Sequence, residues 1–194
     1  MRSVLLVAGV VLPLLSSPTY VYSIWKGRSK PQRTTRFLLM VATGLSFGAL
    51  LAGHDTSGVW LALVSFIETV IIWLLSLRRG MGGRGRLDMF CVALCGLGLV
   101  LWMLSGQSLV GLLLSIVADC IACIPSLVKT IRLPHTETPL FFAMGSCAGV
   151  CILLAGPFTW RAALFPAYIA LINAVYVGVI CWPRATPAYD VSPE

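Results

Sequence analysis

Charged residues are scarce in this chain. Lys, Arg, Asp and Glu make up 11% of its 194 residues, and only seven residues are acidic. A soluble domain of this length has too much surface to be covered by so few charges. The two histidines, His54 and His135, fall in loops on opposite sides of the predicted bundle, so no shared metal site is expected. The sequence also lacks a nucleophile motif, and it predicts neither an enzyme nor a cofactor.

Apolar residues are abundant instead. They account for 58% of the chain, and the mean hydropathy is +0.93. This composition predicts an all-α integral membrane protein. A spanning helix needs about 20 mostly apolar residues, and seven stretches qualify: 3–25, 37–53, 59–77, 89–104, 109–131, 140–156 and 162–182. We expect the first to be a retained helix and not a signal peptide, because its apolar character continues through Trp25.

All seven cysteines lie inside these apolar runs. Cys120 and Cys123 have the spacing of a redox or metal pair, but no second pair or nearby histidine completes a site. We therefore expect the cysteines to be small packing residues.

The Lys and Arg residues are unevenly divided between the two sides. If the N-terminus is outside, Arg2 and Arg161 are the outer cations, and the other 12 of the 14 face the cytoplasm. This asymmetry predicts a multi-pass plasma-membrane protein with the N-terminus outside and the C-terminus cytoplasmic. The inner cations are Lys26, Arg28, Lys30, Arg33 and Arg36 in the first loop, Arg78, Arg79, Arg84 and Arg86 in the second, Lys129 and Arg132 in the third, and Arg184 after the last span.

These assignments have two further consequences. No Lys or Arg is expected inside a span to pair with a buried carboxyl group. The glycine-rich second loop, 79–86, lacks the pattern of a phosphate-binding loop and is predicted to be a flexible inner linker.

A gapped internal repeat runs along the chain. The tetrapeptide LLAG occurs at 50–53 and again 103 residues later at 153–156. Further pairs follow in the same order: Pro18 and Pro125, Pro31 and Pro134, Thr35 and Thr138, and Trp60 and Trp160. The repeat predicts seven spanning helices arranged 3+1+3, with helices 1–3 and 5–7 as parallel triple-helix bundles and helix 4 as a connector. The expected units are 1–78, 79–106, 107–182 and a cytoplasmic tail, 183–194.

Two segments carry a family resemblance. "SPTYVYSIWKGRSKPQRTT" resembles the first loop of the SWEET and PQ-loop superfamily, and "ADCIACIPSLVKTIRLPHTET" resembles its second copy. Pro18 and Pro125 are followed by Thr and Ser where that family has Gln, which points to a divergent, bacterial-type branch. The resemblance implies a transporter of a small polar, sugar-like solute that works by alternating access.

Polar residues inside the spans are the candidate site. Ser65, Glu68, Thr69, Trp73 and Ser76 share one face of helix 3, which we expect to face the bundle or a cavity. Asn173 lies near the centre of helix 7 and pairs with Trp73 in the repeat. SWEET-like transporters flank their substrate with Asn and Trp on the third helix of each repeat, so the resemblance implies substrate binding by Trp73 and Asn173, with Ser65 and Thr69 beside them. The alternatives are an interhelical hydrogen bond for Asn173 and simple packing for Trp73.

Glu68 and Asp119 are candidates for proton coupling, because burial favours the neutral form of a carboxyl group. The alternative is a protonated carboxyl that is hydrogen-bonded to a neighbouring helix. Pro18 and Pro125 each interrupt a helix hydrogen bond, so they could be hinges or static kinks.

The leading function is therefore a solute transporter, and the competing one is a heptahelical receptor or sensor of the same fold. A retinal protein is disfavoured, because the lysines are Lys26, Lys30 and Lys129 and none lies in helix 7. The expected partners are the lipid bilayer and a small polar solute, without nucleic acid, and a homo-oligomer is left open.

Overall fold

The computed structural model describes residues 2–54, 58–81, 86–157 and 159–182. These residues form seven α-helices: α1 (Arg2–Trp25), α2 (Arg33–Ala52), α3 (Gly58–Arg79), α4 (Arg86–Ser105), α5 (Ser108–Arg132), α6 (Pro139–Ala155) and α7 (Trp160–Cys181). A short 3-10 helix, Pro134–Thr136, lies between α5 and α6. The predicted tail 183–194 and the linker cation Arg84 lie outside the described residues.

Five of these helices are long and apolar enough to cross a membrane: α1, α2, α3, α5 and α7. Helix α6 is also apolar but is shorter, with 17 residues. Helix α4 has 20 residues. The prediction of an all-helical, multi-pass membrane protein is therefore confirmed at this level.

Glycine and proline mark several helix ends. Gly27, after α1, and Gly106, between α4 and α5, have φ angles of 73° and 62°, a region that residues with a side chain rarely adopt. Pro139 occupies the first turn of α6, where its missing N–H costs nothing.

Six of the helices form a closed ring. Helix α1 packs against α3 and α6, α2 packs against α3 and α5, and α7 packs against α5 and α6. The order around the ring is therefore α1, α3, α2, α5, α7, α6. Helix α4 packs on the ring from outside, mainly against α5 and to a lesser extent against α2.

One end of the ring carries most of the described cations and is called the basic end. It contains the connections 26–32, 80–81 and 133–138. The first and third of these are joined directly, because the backbone N–H of Lys30 donates to the carbonyl of Thr136 at 3.1 Å. The side chains of Ser29 and Thr138 also lie 2.9 Å apart, at hydrogen-bond distance.

The glycine-rich linker was predicted to be flexible, and its described beginning makes backbone hydrogen bonds to the segment that leads into α2. The N–H of Met81 donates to the carbonyl of Pro31 at 2.9 Å, and the N–H of Arg33 donates to the carbonyl of Met81 at 3.0 Å. These two bonds fasten the end of α3 to the start of α2. Residues 82–85 of the linker lie outside the described residues.

Candidate functional site

A cavity lies inside the ring and is lined by all six of its helices. The centres of water molecules can occupy about 90 Å³ of it. A cavity needs about 10–15 Å³ to hold one water, so this one has room for more than a single water-sized group. The lining residues that bear on function are Ser16, Arg36, Thr43, Ser65, Glu68, Thr69, Asp119, Phe141, Phe142, Asn173 and Tyr176.

Five residues that the sequence singled out meet at this cavity. Ser65, Glu68 and Thr69 come from α3, Asp119 from α5 and Asn173 from α7.

Three other residues that the sequence singled out do not line the cavity. Trp73 is half-buried beside Phe37, with 5.7 Å between the ring centroids. Pro18 is exposed on α1 and Pro125 is buried in α5, and neither lines the cavity. Substrate binding by Trp73 and the hinge roles of the two prolines stay predictions.

Each candidate carboxyl group accepts a hydrogen bond from a hydroxyl on another helix. The Ser17 hydroxyl of α1 donates to Glu68 of α3. The Tyr168 hydroxyl of α7 donates to Asp119 of α5. Both carboxyl groups are buried. Each therefore links two neighbouring helices of the ring and also faces the cavity.

Hydroxyl groups continue this polar lining along α2. The side chains of Thr43 and Thr69 lie 2.9 Å apart and join α2 to α3. A second hydroxyl pair, Ser46 and Ser115, joins α2 to α5 at 2.8 Å. In an apolar surrounding such pairs satisfy both groups, and they hold the helices in register.

The amide of Asn173 bonds within its own helix. Its Nδ2 donates to the carbonyl of Ile169, one turn earlier in α7, at 2.8 Å. The side chain also packs closely on Gly145 of α6, where a Cβ atom would lie 3.0 Å from Oδ1. The Nδ2 hydrogen bond therefore stays within α7 and does not join two helices.

We predict that Asn173→Ala weakens solute binding about threefold to tenfold, because a neutral hydrogen bond contributes roughly 0.5–1.5 kcal/mol. Binding affinity and melting temperature should be measured together on the purified variant. Leu171→Ala, on an exposed part of the same helix, is the control. A variant that binds like the parent but melts earlier would show that Asn173 is structural.

Arg36 corrects the sequence-based assignment. It was placed in the first cytoplasmic loop, and no cation was expected inside a span. The structure places it in the first turn of α2, which begins at Arg33, with 4% of its surface exposed. It lines the same cavity as Glu68 and Asp119. The buried carboxyl groups therefore share their cavity with a guanidinium group.

Arg36 belongs to a buried polar network at the basic end. Its Nη2 donates to the Tyr20 hydroxyl at 2.8 Å, and that hydroxyl donates to Glu137 Oε2 at 2.6 Å. Lys129 Nζ donates to Glu137 Oε1 at 2.5 Å and to the carbonyl of Lys30 at 2.7 Å. Glu137 lies in the connection between α5 and α6, so the network joins that connection to α1, α2 and α5.

Stacked aromatic rings accompany this network. The rings of Tyr20 and Phe141 stack with 4.5 Å between centroids, and those of Phe142 and Tyr176 stack with 4.4 Å. Phe141 and Phe142 also meet edge to face. Because Arg36, Phe141, Phe142 and Tyr176 all line the cavity, the network and the stack form its wall on the basic side.

A pattern in the sequence could have located Arg36. Arg36, Leu39, Thr43 and Ser46 recur at intervals of three and four residues, which is one face of a helix. All four side chains are buried. The pairing of Tyr20 with Glu137 spans 117 residues and has no comparable sequence signal.

The chain was also compared with known proteins. No protein-family model, curated protein or solved structure matches it. Among the described residues, no group of three or more His, Cys, Asp or Glu side chains could hold a metal ion. The cavity and the helices around it are therefore the features that indicate a function.

Proposed function

We propose that this protein is a membrane transporter that moves a small polar solute by alternating access around the central cavity. The observation that carries the proposal is a cavity inside the ring that is lined by all six of its helices and includes the side chains of Arg36, Glu68, Asp119 and Asn173. Polar groups inside a membrane are costly, and those that line a shared cavity mark a solute path. The resemblance to the SWEET and PQ-loop superfamily supports the same function and suggests a sugar-like solute.

We further propose that the seven helices span the membrane as two parallel triple-helix repeats with α4 between them. The ring contacts support this arrangement. Exchanging α1 with α5, α2 with α6 and α3 with α7 converts the α1–α3 contact into α5–α7, and the α1–α6 contact into α2–α5. Every neighbouring pair in the ring becomes another neighbouring pair. Parallel repeats of this kind allow one half to rock against the other around a fixed site.

The proposed orientation places the N-terminus outside and the basic end in the cytoplasm. The concentration of cations at that end supports it. Single cysteines introduced at Arg28 and His54 report the orientation through an impermeant thiol reagent. We expect labelling of position 54 from outside and of position 28 from inside. Labelling of position 28 from outside would reverse the topology.

Glu68 and Asp119 are proposed to carry a coupled proton. Their burial and their position on the wall of the cavity support the proposal. Glu68→Gln and Asp119→Asn keep hydrogen-bonding capacity but cannot ionise. We expect at least one of them to abolish uptake driven by a pH gradient while solute exchange persists. If both variants keep the pH dependence of the parent, the two carboxyl groups are structural.

Transport itself is tested by reconstitution into sealed proteoliposomes. We expect a bound solute to accumulate inside the vesicles faster than in protein-free vesicles. Saturable binding without uptake would contradict the transporter and favour a receptor or sensor of the same fold. Uptake and binding should therefore be measured on the same preparation.

A further inference from the structure

Arg36 lines the cavity, and its guanidinium group has a hydrogen-bond donor without a partner among the described residues. Its side chain is 96% buried, Nη2 donates to the Tyr20 hydroxyl, and Nε has no hydrogen-bond partner among the described residues. A buried donor without a partner is costly, and a buried charge without one is more so. The position therefore suits a ligand that accepts hydrogen bonds and carries negative charge.

No described carboxylate lies at ion-pair distance from Arg36. Glu137, the nearest acid in the network, pairs with Lys129 and accepts a hydrogen bond from Tyr20, so Tyr20 stands between it and Arg36. Glu68 and Asp119 face the same cavity, and their bonds go to Ser17 and Tyr168. Arg36 thus lines the cavity with a hydroxyl partner and with no ion-pair partner among the described residues.

We propose that the solute carries a carboxylate group, which the guanidinium group of Arg36 binds. A guanidinium group offers two parallel N–H donors that match the two oxygens of a carboxylate, and this fork is stronger than neutral hydrogen bonds. Asn173 and the hydroxyls of Thr43 and Thr69 are in the same cavity and suit a hydroxyl group on the solute.

The size of the cavity limits the solute further. A cavity of about 90 Å³, measured as the space open to water centres, suits a small hydroxy acid. The aromatic side of the cavity, Phe141 and Tyr176, provides an apolar surface for its carbon atoms. This inference rests on the proposed function. It also revises the expectation of a sugar-like solute, which the family resemblance implied.

The test compares each carboxylate with a matched neutral compound on the purified full chain. The pairs are acetate and acetamide, lactate and lactamide, and gluconate and glucose. Binding of each compound is measured by calorimetry and by the shift in the melting temperature of the protein. We expect lactate to bind and lactamide not to. We expect Arg36→Gln to weaken lactate binding about tenfold to a hundredfold, and Arg36→Lys to retain part of the affinity. The comparison of lactate with lactamide on the parent protein needs no variant, so it stands even if Arg36→Gln fails to fold.

Four outcomes would overturn the carboxylate site. The acid and its amide could bind equally well, glucose could bind while no acid does, or all three carboxylates could fail to bind. Chloride could also compete as strongly as lactate at equal concentration, which would indicate a site for any small anion. Uptake into proteoliposomes separates this proposal from the transporter. Lactate binding without uptake contradicts transport alone, whereas glucose uptake without lactate binding contradicts the carboxylate site alone.

Discussion

Replacing Glu137 with alanine is expected to lower the free energy of unfolding by about 3–5 kcal/mol, because removal of one partner strands a buried charge. The variant would leave Lys129 Nζ with the carbonyl of Lys30 and would leave the Tyr20 hydroxyl without its acceptor. The measurement is reversible unfolding of the purified protein in mixed micelles. Lys26→Met, at an exposed cation of the same end, should change the free energy by less than about 0.5 kcal/mol.

A paired variant separates the ion pair from the rest of the network. Lys129→Met combined with Glu137→Gln removes both charges and keeps an acceptor for Tyr20. We expect it to be more stable than Glu137→Ala, since neutral side chains of similar volume often replace a buried ion pair with little loss. If Glu137→Ala is as stable as Lys26→Met, the network does not hold the basic end together.

Replacing Gly149 with alanine is expected to destabilise the protein by about 1–3 kcal/mol, and a larger residue should prevent folding. A Cβ atom at this position would lie 2.6 Å from the backbone nitrogen of Ala170 and 2.7 Å from the carbonyl oxygen of Pro166. Both atoms belong to the backbone of α7, so relief requires α6 and α7 to move apart. Small residues permit such close approach between membrane helices.

Gly178→Ala is the matched control for this change. Gly178 is an exposed glycine within α7, and a Cβ atom there would meet nothing within 4 Å. Alanine favours a helix over glycine by roughly 0.5–1 kcal/mol, so we expect the control to be neutral or slightly stabilised. Equal stability of the two variants would contradict the close contact of α6 with α7.

Much of the fold follows from the sequence because helix formation in a membrane depends on local composition. The apolar run at 59–77 predicted α3, observed as Gly58–Arg79. The polar face of that helix correctly indicated a cavity for Ser65, Glu68 and Thr69, since period alone fixes which residues share a face. The assignment of Asn173 followed from its central position in an apolar helix.

Other parts of the site depend on contacts that no local pattern encodes. Arg36 was assigned to a loop because its neighbours include four other cations, and charge density alone does not show where a helix begins. Trp73 shares the polar face of α3, but it lies one turn further along the helix than Thr69. At that level its neighbour is the ring of Phe37 and not the cavity. The pairing of Tyr20 with Glu137 arises only when α1 meets the connection between α5 and α6.

The most direct test of alternating access is the accessibility of Ser65 from the two sides of a membrane. Ser65 lines the cavity, and Ser65→Cys can be made in a variant whose seven native cysteines are replaced with alanine. Ile71→Cys, on an exposed, membrane-facing position of the same helix, is the control. In sealed vesicles we predict that a small impermeant thiol reagent modifies position 65 from either face and position 71 from neither. Modification of position 65 from one face alone would contradict transport through this cavity.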